Sequence, residues 1–385
     1  MSPSFAAAMR RTTRFMRPRM QIKAIRKVQK AVIHTMVSAA YAPLTGLKSD
    51  PARRPKSKKV ATGRARGVVK SPLRPTKALL PKEMAAGPRR KAASSTVTDA
   101  QYLTRRHRGV AGARGYKLYL PASQPKRPKG LIIMLHGCNQ TADDFATGSH
   151  MNALAEKHGL VIAYPEQTKR FNAGKCWNWF KPRNQVRGAG EPGILAALTR
   201  KLMTEFNLSR DHTFVAGLSA GGAMAAILAD VYPDIFAAAG VHSGLARGSA
   251  RNVISAMSAM SRGSKPKTFP RTTDGSIGAG HRPVGRIVFQ GDNDQTVHPS
   301  NAATIVTAAL GDAVVPTKVS INSIRGREYE RTSFAATATS GPLELWMLKG
   351  GEHAWSGGRK AGSYTDVKGP DASAQMVRFF LTKTA

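Results

Sequence analysis

Ser219 stands in the string Phe214-Val215-Ala216-Gly217-Leu218-Ser219-Ala220-Gly221-Gly222, a Gly-x-Ser-x-Gly pattern entered by an apolar, β-branched run and left by the alanine-rich stretch 223–229. Strand, sharp turn, helix is the context that lifts a serine hydroxyl clear of a sheet and makes it an acyl-transfer nucleophile. Gly217, Ala220, Gly221 and Gly222 supply the small residues such a turn needs, and a helix amino end behind the serine favours negative charge. The competing reading is a buried structural turn, because five-residue matches arise by chance. An acid and a base at set places decide between the two. Asp294 follows the apolar run 286–289, and His353 follows Leu343–Leu348 within Gly350-Gly351-Glu352-His353-Ala354-Trp355. A carboxylate at such a strand end orients an imidazole and stabilises its cation. Asp292 is the rival acid and would otherwise cap the turn; Asp294 is preferred because the loop must pass the strand end before turning back. His242 precedes the acid in the chain, His298 lies too near it to serve as the base, and Glu352 reads as a solvated neighbour of His353.

The elements that must carry these residues alternate. Gly130–Leu135 reads as a buried parallel strand ending in His136-Gly137-Cys138, and residues 116–120, 160–164 and 235–241 read as further strands. Residues 141–158 read as one helix with Thr141 as N-cap, residues 193–206 as another, 319–334 as an edge hairpin and Ala372–Leu381 as a closing helix. This pattern predicts an α/β-hydrolase fold, a mostly parallel central sheet with helices on both faces, and Ser219, Asp294, His353 is that fold's chain order. In it, one oxyanion N–H comes from the loop after the Gly130–Leu135 strand and the other from the residue after the serine. That nominates the backbone amides of Cys138 and Ala220.

Five segments carry a family resemblance: Leu135-His136-Gly137-Cys138-Asn139-Gln140; Cys176-Trp177-Asn178-Trp179-Phe180; Gly217-Leu218-Ser219-Ala220-Gly221-Gly222; Gly291-Asp292-Asn293-Asp294-Gln295-Thr296-Val297-His298-Pro299; and His353-Ala354-Trp355-Ser356-Gly357-Gly358. Over residues 105–383 the chain resembles the esterases of the polyhydroxybutyrate depolymerase family, related to feruloyl and acetylxylan esterases. The resemblance implies Ser219 as nucleophile, Asp294 as orienting acid and His353 as base, in a two-step acyl transfer that needs no metal and no organic cofactor. It also implies a Cys138–Cys176 disulfide, which the sequence alone does not pair. Two departures are Gln290, where the family usually has histidine, and Glu352, where it usually has glycine; they bear on rate and substrate more than on reaction type. Trp177, Trp179, His242 and Trp355 are read as substrate-binding, with core packing as the alternative for the indoles. Polyester or short-chain esters are the expected substrates, with plant-wall acyl esters as runner-up.

Composition sets the remaining bounds. The net charge of +38 is uneven: residues 1–100 hold 24 Lys/Arg against 3 Asp/Glu, and the rest hold 36 against 19. Residues 1–40 read as a basic amphipathic helical segment, 41–104 as a disordered linker rich in Pro, Ala, Lys and Arg, and 105–385 as the catalytic domain with an inserted loop at about 257–282. Such an arm suits an anionic membrane or granule surface, or nucleic acid without sequence readout. The function of another class is therefore a non-catalytic basic binding protein on a hydrolase scaffold, against which an intact serine, aspartate and histidine set argues. The two cysteines lack zinc spacing. No apolar core of a secretory signal is readable in the first thirty residues, which suits a cytoplasmic address, and no stretch suits a transmembrane span, whereas the family resemblance favours an extracellular or periplasmic one, so location stays open.

Overall fold

The structure, a computed structural model, describes residues 99–123, 127–264, 283–310 and 316–382. The helical segment at 1–40, residues 41–98 of the linker, and most of the 257–282 insert lie outside them, as does any partner-binding role of that arm.

Strand β1 (Gln101–Gly109) pairs antiparallel with β2 (Gly112–Leu120) through a two-residue turn. The fold therefore begins four residues before the expected boundary at 105. The strand was hidden because its residues are mostly Gln, Thr, Arg and His, with His107 the one buried, so no apolar alternation marks it. Strand β3 (Gly130–Leu135) is wholly buried, sending Leu131, Ile133 and Leu135 into one core and Ile132 and Met134 into the other.

Helix α1 (Ala142–Ser149) starts where expected, with the Asp144 amide donating to Thr141 Oγ1 at 3.1 Å. The single helix expected over 141–158 is in fact two, because His150 takes a left-handed conformation and α2 (Met151–His158) starts after it. Distant chain holds the break. Ser373 Oγ donates to the Ser149 carbonyl at 2.7 Å, and His150 Nε2 lies 2.9 Å from Asp371 Oδ2.

Strand β4 (Leu160–Pro165), helix α3 (Gly190–Glu205), β5 (Thr213–Leu218), α4 (Ala220–Val231) and β6 (Ala238–His242) follow. Helix α5 (Val253–Arg262) occupies the start of the expected insert loop. Asn252 and Ser255 form a capping box there, which outweighs the serine content that suggested irregular chain. The sheet half that holds the acid and the base is completed by β7 (Gly285–Gly291), α6 (Ser300–Leu310), β8 (Lys318–Ile324), β9 (Arg327–Phe334) and β10 (Leu343–Leu348). A short parallel pair, β11 (Trp355–Ser356) and β12 (Thr365–Asp366), precedes α7 (Ala372–Leu381).

The large sheet runs β1-β2-β4-β3-β5-β6-β7-β10-β9-β8, parallel from β4 to β10 and antiparallel at both edges. One face packs on α3 and α4, the other on α1, α2 and α7. This is the doubly covered parallel sheet of an α/β-hydrolase, whose strand ends on one rim carry the residues of interest. Among the described residues no helix is long and apolar enough to cross a membrane.

Candidate active site

Ser219 joins β5 to α4 with φ 57° and ψ −119°, a backbone conformation that costs a non-glycine residue energy and is stored chiefly at functional sites. The surroundings hold it there. The Ser219 amide donates to the His242 carbonyl at 2.9 Å, and its own carbonyl accepts from the Ala223 amide at 2.9 Å. Helix α4 starts tight against β3, and a Cβ at Gly221 would overlap the Leu135 carbonyl oxygen. The local sequence folds this way because no bulkier residue fits beneath the turn.

Asp294, after β7, has no solvent-exposed side-chain surface. Its Oδ1 accepts the amides of Thr296 and Val297 at 2.9 and 2.8 Å; its Oδ2 accepts from His353 Nδ1 at 2.8 Å and from Gln290 Nε2 at 3.1 Å. Burial alone would raise this carboxyl's pKa, but the His353 hydrogen bond and charge, with the two amides, hold it below the ordinary value. The neighbouring Asp292 instead accepts the Gly350 amide at 2.6 Å, and so caps the turn. With Nδ1–H committed to Asp294, His353 keeps Nε2 as its free lone pair. Gln290, the departure from the family histidine, donates to the orienting carboxylate and to the Val297 carbonyl at 3.1 Å.

His242 lies between these parts, at the end of β6. Its ring stacks on Phe289 and Trp355, its Nε2 accepts the Ser356 amide at 3.1 Å, and its carbonyl holds Ser219. One residue thus ties the serine turn to the loop that carries His353. Burial, and next the His353 charge, push the His242 pKa down to about 3.

The loop after β3 is fixed in the same manner. Buried His136 donates from Nδ1 to the Gly137 carbonyl at 2.7 Å and accepts the Gln167 amide at Nε2, and Gln140 Oε1 takes the Gly137 amide at 2.8 Å. Burial takes the His136 pKa down to about 4. No described group accepts from the amides of Cys138 or Ala220, which leaves two donors unspent beside the serine turn. A disulfide joins Cys138 to Cys176, with Cα atoms 4.3 Å apart. Replacing both cysteines by serine should lower the unfolding free energy by about 4 kcal/mol, from the closure entropy of a loop of that length. Urea unfolding of the two proteins side by side measures it, and equal midpoints would remove the claim.

The aromatic reading needs a correction. Trp177, Trp179, His242 and Trp355 are between 0 and 4 % exposed. The indole N–H of Trp177 donates to the His136 carbonyl and that of Trp355 to Ser373 Oγ, both inward. These side chains back the site and do not line it, since each fills space behind a loop that the site uses. His353 instead opens on a cleft of about 780 Å³ lined by polar side chains, among them Asn293, Gln295, Thr296 and Lys360, with Tyr364 as its aromatic ring. Sequence reasoning missed Gln167 and Glu191, which anchor the two loops. Gln167 bonds His136, the Cys176 carbonyl and Glu191; Glu191 accepts from the amide and side chain of Asn178. A polar residue buried at the end of a strand or the start of a helix leaves no periodic signal. Among the described residues no cluster suits a metal ion.

The family described as Esterase PHB depolymerase matches residues 114–313, just over half of the chain. The chain belongs to this family. The match includes Ser219 and Asp294 and stops before His353, whose placement rests on its bond to Asp294. Relatives within and near the family include poly(3-hydroxyalkanoate) depolymerase C of Paucimonas lemoignei, 32% identical over 47% of this chain and 43% of its own length. Another is the poly(3-hydroxybutyrate) depolymerase of Ralstonia pickettii, 38% identical over 34% of this chain and 28% of that protein. A probable acetylxylan esterase A of Aspergillus clavatus is 34% identical over 35% and 42%. The chain thus spans less than half the length of these curated relatives. A solved acetyl xylan esterase from Aspergillus awamori superposes with a TM-score of 0.55 at 23% identity, covering 66% of this chain and 93% of its own, which supports the fold.

Proposed function

We propose that the protein is a serine esterase that cleaves carboxylic esters in two acyl-transfer steps. The observation that carries this is the bond from the partly exposed His353 to the buried Asp294 on the same sheet rim as a strained Ser219, in a chain of this family. His353 Nε2 takes the Ser219 proton as Oγ bonds to the ester carbonyl carbon, and the oxyanion accepts from the Cys138 and Ala220 amides. The proton passes to the departing alcohol oxygen as the C–O bond breaks. Water then attacks the acyl-enzyme by the same route, releasing the acid and restoring Ser219, while Asp294 stays ionised and stabilises the imidazolium.

The substrate read first is an oligomeric or short-chain hydroxyalkanoate ester, in keeping with the depolymerases among the relatives. The polar lining of the cleft beside His353 favours a second reading, an acetyl or feruloyl ester of a plant-wall glycan. Hydrolysis of p-nitrophenyl butyrate, amorphous polyhydroxybutyrate and methyl ferulate by the full-length protein tests both. Turnover of butyrate and polyester but not ferulate is expected. A clear preference for the ferulate would overturn the first reading, and no turnover of any would sink the esterase.

A further inference from the structure

A second cavity, of about 450 Å³, lies where the start of β2, the loop after β4 and the first turn of α3 meet. Its wall carries five cationic side chains, Arg106, Arg114, Arg170, Lys181 and Arg183, against one carboxylate, Glu191. Its two oxygens accept from Gln167, from the Asn178 amide and from the Asn178 side chain at 2.6–2.8 Å, and it is also the counter-charge of Arg114. Arg114 is 3 % exposed, stacks 4.2 Å from the Phe171 ring centroid, and reaches only within 3.9 Å of Glu191, while its Nε has no partner. The other four cations make no ion pair with a described residue. The amino end of α3 adds further positive potential. One long carboxylate contact against five cations leaves the mouth with a net positive potential, and a buried arginine with a spare Nε–H at its back, a standing attraction for an anion. Phe171 and Ile194 line the same wall, so the fitting anion has an alkyl part.

The cavity shares a rim with Ser219. Because β2 runs antiparallel to β4, with Tyr116 opposite Pro165, the start of β2 lies at the end of the sheet where β4, β3 and β5 terminate. In the order β2-β4-β3-β5 the cavity stands three strand spacings from the elbow, about 14 Å at the usual separation. Gln167 links the two, taking Arg114 on its side-chain oxygen and giving its amide to His136 of the loop after β3.

We infer that this cavity binds the free carboxylate end of an oligoester whose scissile bond lies at Ser219, an inference that rests on the esterase reading above. A three-bond peptide unit spans about 3.5 Å extended, so a four-bond hydroxybutyrate unit spans roughly 4.7 Å and about three such units bridge the gap. The carboxylate end belongs to the alcohol side of the cleaved ester. A bound tetramer therefore gives its hydroxyl-end unit to Ser219 as the acyl group and releases a trimer; water then frees the monomer acid.

The test compares kcat/KM for 3-hydroxybutyrate tetramer as free acid and as methyl ester, in full-length protein and in an Arg170→Gln/Arg183→Gln variant. The intact protein should favour the acid about tenfold, the scale of a charge-assisted contact, and cut it to monomer and trimer. The variant should bring the ratio close to one, and so should high salt. A ratio near one in the intact protein, or one unchanged in the variant, overturns the assignment. Calorimetry of the trimer acid on Ser219→Ala protein separates the two layers of the argument. Binding there, lost on adding the two arginine changes, supports the cavity even if no ester is turned over, a result that would fail the esterase reading alone. No binding, or inorganic phosphate binding equally well, sinks the carboxylate site.

Discussion

Ser219→Ala should hydrolyse p-nitrophenyl butyrate at least about a thousandfold more slowly than the intact protein, with its fold unchanged. The size follows from what is lost. Without Oγ no acyl-enzyme forms, and what remains is water attack aided by the two amide donors and by substrate binding. His353→Ala should lose as much, because on the proposed route His353 takes the Ser219 proton, and the double variant should fall scarcely further than either single one. That non-additivity is the signature of residues acting as one unit. Far-UV circular dichroism keeps a folding defect apart from a chemical one. A serine variant that kept a tenth of the activity would remove Ser219 from the reaction.

The second large effect is on stability. The protein should lose about 5 kcal/mol of unfolding free energy between pH 7.5 and 4.5, roughly half from each of His136 and His242. Both rings accept a backbone amide at Nε2, so each must be neutral when folded, and burial carries their pKa values to about 4 and about 3 from an ordinary 6.5. The sign follows from proton counting. Below the ordinary value the unfolded chain takes protons that the folded chain refuses, so the contribution is complete above about pH 6.5 and declines as pH falls toward the folded values. His107 and His158 are shifted downward too. Carboxylates intrude little on this window: Asp294, Asp371 and Asp234 are held below their ordinary values, the last at about 2, so their contributions decline only under about pH 4, while Glu156, held low against its desolvation by the Ala122 amide and the Tyr119 hydroxyl, begins to decline at the window's acid end. Urea unfolding at several pH values gives the slope. His242→Asn should be less stable at neutral pH and should flatten the slope by about half; an unchanged slope would show that the ring is not buried neutral.

Much of this was readable from residues, because the signals were local. Strands β3, β5 and β7 are short apolar runs with glycine at or next to one end, β10 is such a run without it, and the elbow announces itself by its small residues. Ser219, Asp294 and His353 could be nominated because each follows such a run, and the Asp294–His353 bond is what the structure adds. What could not be read depended on distant partners. The break at His150 is stabilised from residues 371 and 373, over two hundred positions away. Trp177 and Trp355 carry no mark that sends an indole inward and not toward substrate; only the acceptors waiting for their N–H groups decide it. Strand β1 escaped notice because its pairing with β2, and not its own composition, makes it a strand.

The contacts of α7 also bear on the order in which the proposed site is assembled during synthesis. Trp355, beside His353, is held through Ser373 to Ser149 at the break between α1 and α2, and α7 packs Met376 and Phe380 into the core that Phe145 and Met151 share. Chains emerge amino end first and fold as they come. The elbow and Asp294 are thus translated long before the residues that seat the histidine loop. On the esterase reading, a nascent chain should turn over no ester until Ala372–Leu381 has left the exit tunnel and docked beside the histidine loop.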